Sequence, residues 1–192
     1  PWYAVFGNHD QLAQGNFPHP TPLTGDPTGS FKNTSQGRRK VTPDPDRRFV
    51  TRGEWVEEHF VSPPSPGPVG HGFTETNRTE GSGYYTFDQG EGSLVRFVVM
   101  DTVNENGGDD GSLSLEQFEW IQQVLTDSTD KLLVFSSHHP SWTMDNDKGE
   151  DRILGKALVR KMLAKDNVIA WVNGHTHDNN VVAHKRTGGG GF

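Results

Sequence analysis

The sequence contains no cysteine, which removes disulfide staples, thiolate zinc sites, iron–sulfur clusters and cysteine nucleophiles together. It also lacks any run near the ~18 apolar residues of a membrane helix. The longest strongly apolar stretch, Leu94 to Met100, is interrupted by Arg96. Basic residues are in deficit, 18 Lys and Arg against 25 Asp and Glu, for a formal charge of −7. A chain of that sign has no footprint for a phosphate backbone, so no nucleic-acid-binding surface is expected. Two hydrolase and nucleotide signatures are missing as well. No Gly-x-Ser-x-Gly elbow supports a serine nucleophile, and the glycines at 188–191 have no following Lys-Ser/Thr to make a P-loop. The acidic run Asn104–Asp110 lacks the ligand spacing of an EF-hand and reads as a solvated loop.

What the sequence does contain is turn residues and histidine. In 192 residues there are 23 glycines and 12 prolines, so long surface loops around a modest core are expected within one domain or part of one. Three zones follow. Residues 1–6, opening on Pro1, read as a strand already under way, ending at Gly7. Residues 11–80 are rich in Pro, Gly, Thr and charge, and only Gly53–Phe60 resembles a helix. Such a stretch is too long for an ordinary connection, and its aromatics (Phe17, Phe31, Phe49, Trp55, Phe60, Phe73) favour a packed, irregular, lid-like insertion over disorder.

From residue 84 the pattern becomes regular. Tyr84–Phe87 and Leu94–Asp101 read as paired strands. Ser114 caps a helix carrying Leu115, Phe118, Ile121, Val124 and Leu125, with Gln117 placed for a capping box. Lys131–Ser136 is a buried-type strand, Asp151–Leu163 a second helix, Val168–Val172 another buried strand and Val181–His184 a short last one. This alternation predicts a layered α/β domain. The glycine run and Phe192 at the other end complete the impression of an internal piece, incomplete at both ends.

Nine histidines are present, four of them in two close pairs. Gly7-Asn8-His9-Asp10, His138-His139-Pro140 and Gly174-His175-Thr176-His177 each follow a strand, and in open α/β sheets the carboxyl ends of strands are where ligands bind. The three motifs are therefore expected to converge on one edge. His175 and His177 are two apart, so in an extended segment both imidazoles project to the same side. Asn8 adds a neutral oxygen. This mixed nitrogen and oxygen set favours Mn, Fe or Zn over Mg or Ca.

In this order the three motifs resemble the later signature blocks of the calcineurin-like metallophosphoesterases, a family that builds a two-metal site on two packed β-sheets flanked by helices, an α/β/β/α sandwich. The resemblance covers most of residues 1–10 and 84–184. It implies that Asn8, His138 and His175 ligate one metal ion and His177 the other, the ions being divalent or trivalent Mn, Fe or Zn. His9 matches the histidine that aids the departing oxygen, and Asp10 the carboxylate beside it. The implied reaction is hydrolysis of a small phosphate mono- or diester by a metal-bridged hydroxide. The long insertion and Gly70-His71-Gly72-Phe73 resemble a bacterial branch with long inserts and twin-arginine export signals.

The family's Asp-x-His and Gly-Asp-x-x-Asp blocks precede Gly-Asn-His, and only six residues precede Gly7. The piece is thus expected to bind at best one metal weakly and to hydrolyse little. A degraded scaffold and a single-metal hydrolase of an amide or lactone are the alternatives. A scaffold, however, has no physical need for four converging ligands. His139 is expected either to support the metal ligands without contacting the metal or to be structural, His71 to be a solvated loop residue, and His19, His59 and His184 to be surface or packing residues.

Overall fold

A computed structural model describes residues 2–11, 27–61, 67–104 and 106–192; Pro1, Phe17, His19 and position 105 of the acidic run in the sequence reading lie outside them. The expected α/β arrangement is present, as two sheets with helices. Strands β1 (Phe31–Thr34) and β2 (Gly37–Lys40) form an antiparallel hairpin. Strands β3 (Tyr85–Asp88), β4 (Val95–Val99), β5 (Leu132–Ser136) and β6 (Val168–Val172) form the larger sheet in that order. The β3–β4 pair is antiparallel, whereas β4, β5 and β6 run parallel. Helices α3 (Leu115–Asp127) and α4 (Gly155–Leu163) make the two crossovers. Parallel strands put their carboxyl ends on one edge, which brings the segments after β4, β5 and β6 together.

Each face of this sheet has its own core, because successive side chains on a strand point to opposite faces. Val98, Met100, Leu133, Phe135 and Val168 pack with Phe118, Ile121 and Leu125 of α3 and Leu158 and Met162 of α4. Burial of each such side chain contributes roughly 1.5–3 kcal/mol. On the other side Tyr85 and Val99 meet Ala4, Val56 and Phe73. Val56 belongs to helix α1 (Arg52–Val61), so the insertion contributes directly to the second core.

Several elements differ from expectation. Residues 2–7 belong to neither sheet; the Ala4 N–H donates instead to the His71 carbonyl at 2.9 Å. The insertion holds more regular structure than its composition suggested. Its hairpin is almost wholly exposed, so no burial alternation marks it. Helix α2 (Glu75–Glu80) is too short to show a period; Thr74 caps it and a left-handed Gly81 ends it. Helix α4 begins four residues later than expected because Ile153 is held outside it, exchanging both backbone hydrogen bonds with Leu113. Val181–His184 is not a strand. His184 exchanges backbone bonds with Phe192 across the glycine run, and Phe192 packs on the first core.

Ser114 caps α3 as expected, accepting the Gln117 N–H. Gln117 does not reach back to complete a capping box. Its amide oxygen accepts from the Asp101 N–H at 2.9 Å and its amide nitrogen donates to the Asp101 carbonyl at 2.6 Å. The first turn of α3 is thereby tied to the end of β4.

Candidate metal centre

The Gly7-Asn8-His9-Asp10 motif folds as a single 3-10 turn over Asn8–Asp10. Asp10 closes it, its carboxylate accepting the Gly7 N–H at 2.8 Å. The turn buries Asn8 to 2% exposure and leaves His9 and Asp10 at the surface. Gly7 has no side chain for a reason. A Cβ there would stand 3.0 Å from Nδ1 of His138, so the turn packs against the imidazole that follows β5.

His138 is half-buried, with its Nε2 2.7 Å from Oδ1 of Asn8 and 3.2 Å from Nδ1 of His175. These three atoms come from three different motifs; those of His138 and His175 follow the parallel strands β5 and β6, whereas the Asn8 turn follows residues 2–7, which lie in neither sheet. Ligand atoms sharing one ion at ~2.0–2.2 Å are separated by roughly 2.8–3.4 Å, and the observed spacings sit close to that range. The donor set suits a borderline divalent ion.

His175 and His177 depart from the extended conformation expected of them. Their φ angles are +72° and +59°, and the Thr176 N–H folds back to the Gly174 carbonyl at 2.9 Å. Left-handed backbone at two non-glycine residues is uncommon, and such conformations cluster at functional sites. The turn aims the two rings differently. His175 faces His138, whereas exposed His177 lies at the rim, its ring centroid 6.5 Å from that of His9. The structure thus joins Asn8, His138 and His175, with His9 and His177 paired beside them. Trp142 also stands at the surface, 41% exposed.

Burial favours the neutral form of the central histidines. Burial, then His175, hold His138 down to about 4, with Asp10 pulling the other way. Burial also lowers His175, against the opposing pull of Asp109 and Asp110. Neutral imidazole is the form that binds metal.

His139 is fully buried, not merely a neighbour in the sequence. The ligand-type nitrogens of His138, His139 and His175 all lie within 4.8 Å of one another. Its Nδ1 is 2.8 Å from the Thr102 hydroxyl and its Nε2 3.1 Å from the Asp109 carbonyl. Sequence reasoning passed over both partners. Thr102 follows β4 and could have been found by the strand-end rule, whereas Asp109 was read as part of a solvated loop and no local pattern marks it.

His71 is not a solvated loop residue. It is 2% exposed, stacks on Trp2 at 3.7 Å and pairs Nδ1 to Nδ1 with His59 at 3.0 Å. His59 and His184 serve in packing, as expected, His59 against Trp55 and His184 against Phe192.

A family model described as calcineurin-like phosphoesterase matches residues 1–179. Among curated proteins, tartrate-resistant acid phosphatase type 5 of Homo sapiens is 24% identical over 210 residues, spanning 100% of this chain and 50% of that protein. The chain therefore spans about half the length of the curated relative it matches. No solved structure matches it. Among the described residues, no helix is long and apolar enough to cross a membrane.

Proposed function

The chain belongs to the calcineurin-like phosphoesterase family, and from that membership we propose that it acts as a metal-dependent phosphoesterase on small phosphate mono- or diesters. The observation that carries this reading is the meeting of Asn8 Oδ1, His138 Nε2 and His175 Nδ1 at 2.7 and 3.2 Å. Asn8, His138 and His175 would hold one ion and His177 a second. Bound Mn, Fe or Zn ions would supply a water of lowered pKa and a positive clamp for phosphoryl oxygens.

The chain's own residues do the rest. Asp10 fixes the turn that presents Asn8 and His9. His9, exposed on that turn, gives a proton toward the departing oxygen. His177, facing His9 from the opposite loop, bounds the same space.

The test is Mn2+ or Zn2+ uptake by the chain, measured by calorimetry alongside hydrolysis of aryl phosphates. Saturable uptake lost in His175→Ala supports the reading, and uptake unchanged by that substitution overturns it.

A further inference from the structure

We propose that His139 is a positioning residue for the metal centre, a wedge fixed between Thr102 and the Asp109 carbonyl that sets the rings of His138 and His175. The inference rests on the metal-centre reading above and adds a division of labour within it. Three histidine nitrogens within 4.8 Å of one another would ordinarily suggest a three-histidine ligand set. The hydrogen bonds divide them into two ligands and one support.

The Asp109 carbonyl can only accept, so the His139 Nε2 carries the hydrogen and donates to it at 3.1 Å. Nδ1 is then a lone pair, and it accepts from the Thr102 hydroxyl at 2.8 Å. The same hydroxyl oxygen accepts the His139 backbone N–H at 3.1 Å. Ser137 Oγ in turn donates to the His139 carbonyl at 2.7 Å and accepts from the Trp171 indole at 2.8 Å. No ring nitrogen of His139 remains for an ion. Turning the ring to free one would leave a buried donor and acceptor unpaired.

The ring has no room to turn. It lies against the backbone of Gly111, where a Cβ would come within 2.4 Å of it. On its other sides it meets His138 edge-on, with centroids 4.8 Å apart at 85°, and His175 at 4.4 Å and 55°. The two proposed ligand rings therefore share one rigid wall. Outer-shell partners that orient ligands typically control about 10–100-fold of metal affinity.

The experiment titrates Mn2+ into the chain and its Thr102→Val, Thr102→Ser and His139→Gln variants. Folding is checked by circular dichroism, and coordinated imidazoles are counted by electron spin echo modulation of the bound ion. Thr102→Val should weaken Mn2+ binding about 10–100-fold, and Thr102→Ser, which keeps the hydroxyl, should bind like the parent. His139→Gln should bind more weakly yet show the same number of coordinated imidazoles as the parent. A lower imidazole count in His139→Gln makes His139 a ligand and overturns the proposal, as does parent-like affinity in Thr102→Val. Should Thr102→Val not fold, the His139→Gln count and the Thr102→Ser affinity decide the matter alone. A parent chain that takes up no Mn2+ overturns the metal-centre reading and this inference together.

Discussion

The Nε2 atom of His138 stands 2.7 Å from Oδ1 of Asn8, a residue 130 positions earlier in the chain. One lies in the turn Gly7 opens and the other just after β5, and Gly7 packs directly on the imidazole. His138→Ala or His175→Ala should therefore weaken Mn2+ binding by more than the ~10–100-fold of an outer-shell change. His71→Ala is the contrast. His71 is buried and stacked on Trp2, so its loss should lower the unfolding midpoint while metal content stays intact. Metal analysis of the purified variants checks both.

The role proposed for His9 makes a prediction about leaving groups. A general acid matters most when the departing oxygen is basic, and its removal typically costs 10²–10⁴-fold, as an order of magnitude. In protein that hydrolyses aryl phosphates, His9→Ala should lose about that much on a phenol of high pKa and far less on nitrophenol. A plot of rate against leaving-group pKa should steepen. An unchanged slope removes His9 from the proton transfer.

Much of this architecture was legible because it rests on short-range rules. β4, β5, β6 and α3 follow from apolar periodicity, and the meeting of His138 and His175 follows from parallel strands sharing an edge, whereas Asn8 reaches them from a turn after residues 2–7, which lie in neither sheet. The residues that escaped depend on tertiary contacts without local pattern. Gln117 looked like a capping-box residue until Asp101 offered it a better pair of backbone partners. His175 and His177 looked extended until the Thr176 N–H folded back on Gly174. His71 sat in a glycine-rich run that reads as solvated loop; Trp2 and His59, far off in sequence, bury it.

Arg52 ties the insertion to the site edge. From α1 it pairs with Asp101, which is 5% exposed, and donates to the Val103 carbonyl, bracketing Thr102. Burial raises the Asp101 pKa despite the pull of Arg52. Removing the cation leaves that carboxylate uncompensated. Arg52→Ala should cost about 3 kcal/mol, the lower end for a broken buried pair since Arg52 keeps some water contact. With the folded-state pKa raised further, the loss should be smallest below the ordinary carboxylate pKa and should grow as pH rises through the folded value. Urea unfolding at several pH values measures it.

Acid should destabilise the metal-free chain through its histidines. Burial, then His175 and His138, push His139 down to about 3, and His138 is held down to about 4. In the unfolded chain both take up protons near the ordinary value of 6.5, so below that pH the unfolded state binds more protons than the folded one. Their contribution is fully present above about 6.5 and drains away as pH falls toward 3–4. The urea midpoint should decline steadily over that window, and His139→Gln should flatten part of the decline. A midpoint independent of pH between 7 and 4 contradicts these neutral, buried imidazoles.

Gly111 offers the sharpest test of the crowding around His139. Its φ of +81° and ψ of +159° lie in a region almost confined to glycine, and a Cβ there would stand 2.4 Å from the His139 ring. Gly108 shares the same loop and also has positive φ, +63°, but a Cβ there meets nothing within 4 Å. Gly108→Ala should therefore cost only the left-handed penalty of roughly 1–2 kcal/mol. Gly111→Ala adds displacement of a fully buried, doubly hydrogen-bonded ring, and should cost about 3 kcal/mol or more. Its metal affinity should fall with its stability, because the displaced ring is the wall that His138 and His175 lean on. Gly108→Ala should leave metal affinity untouched. Equal unfolding free energies for the two variants would mean that the loop yields freely and that His139 is not held as the hydrogen bonds indicate.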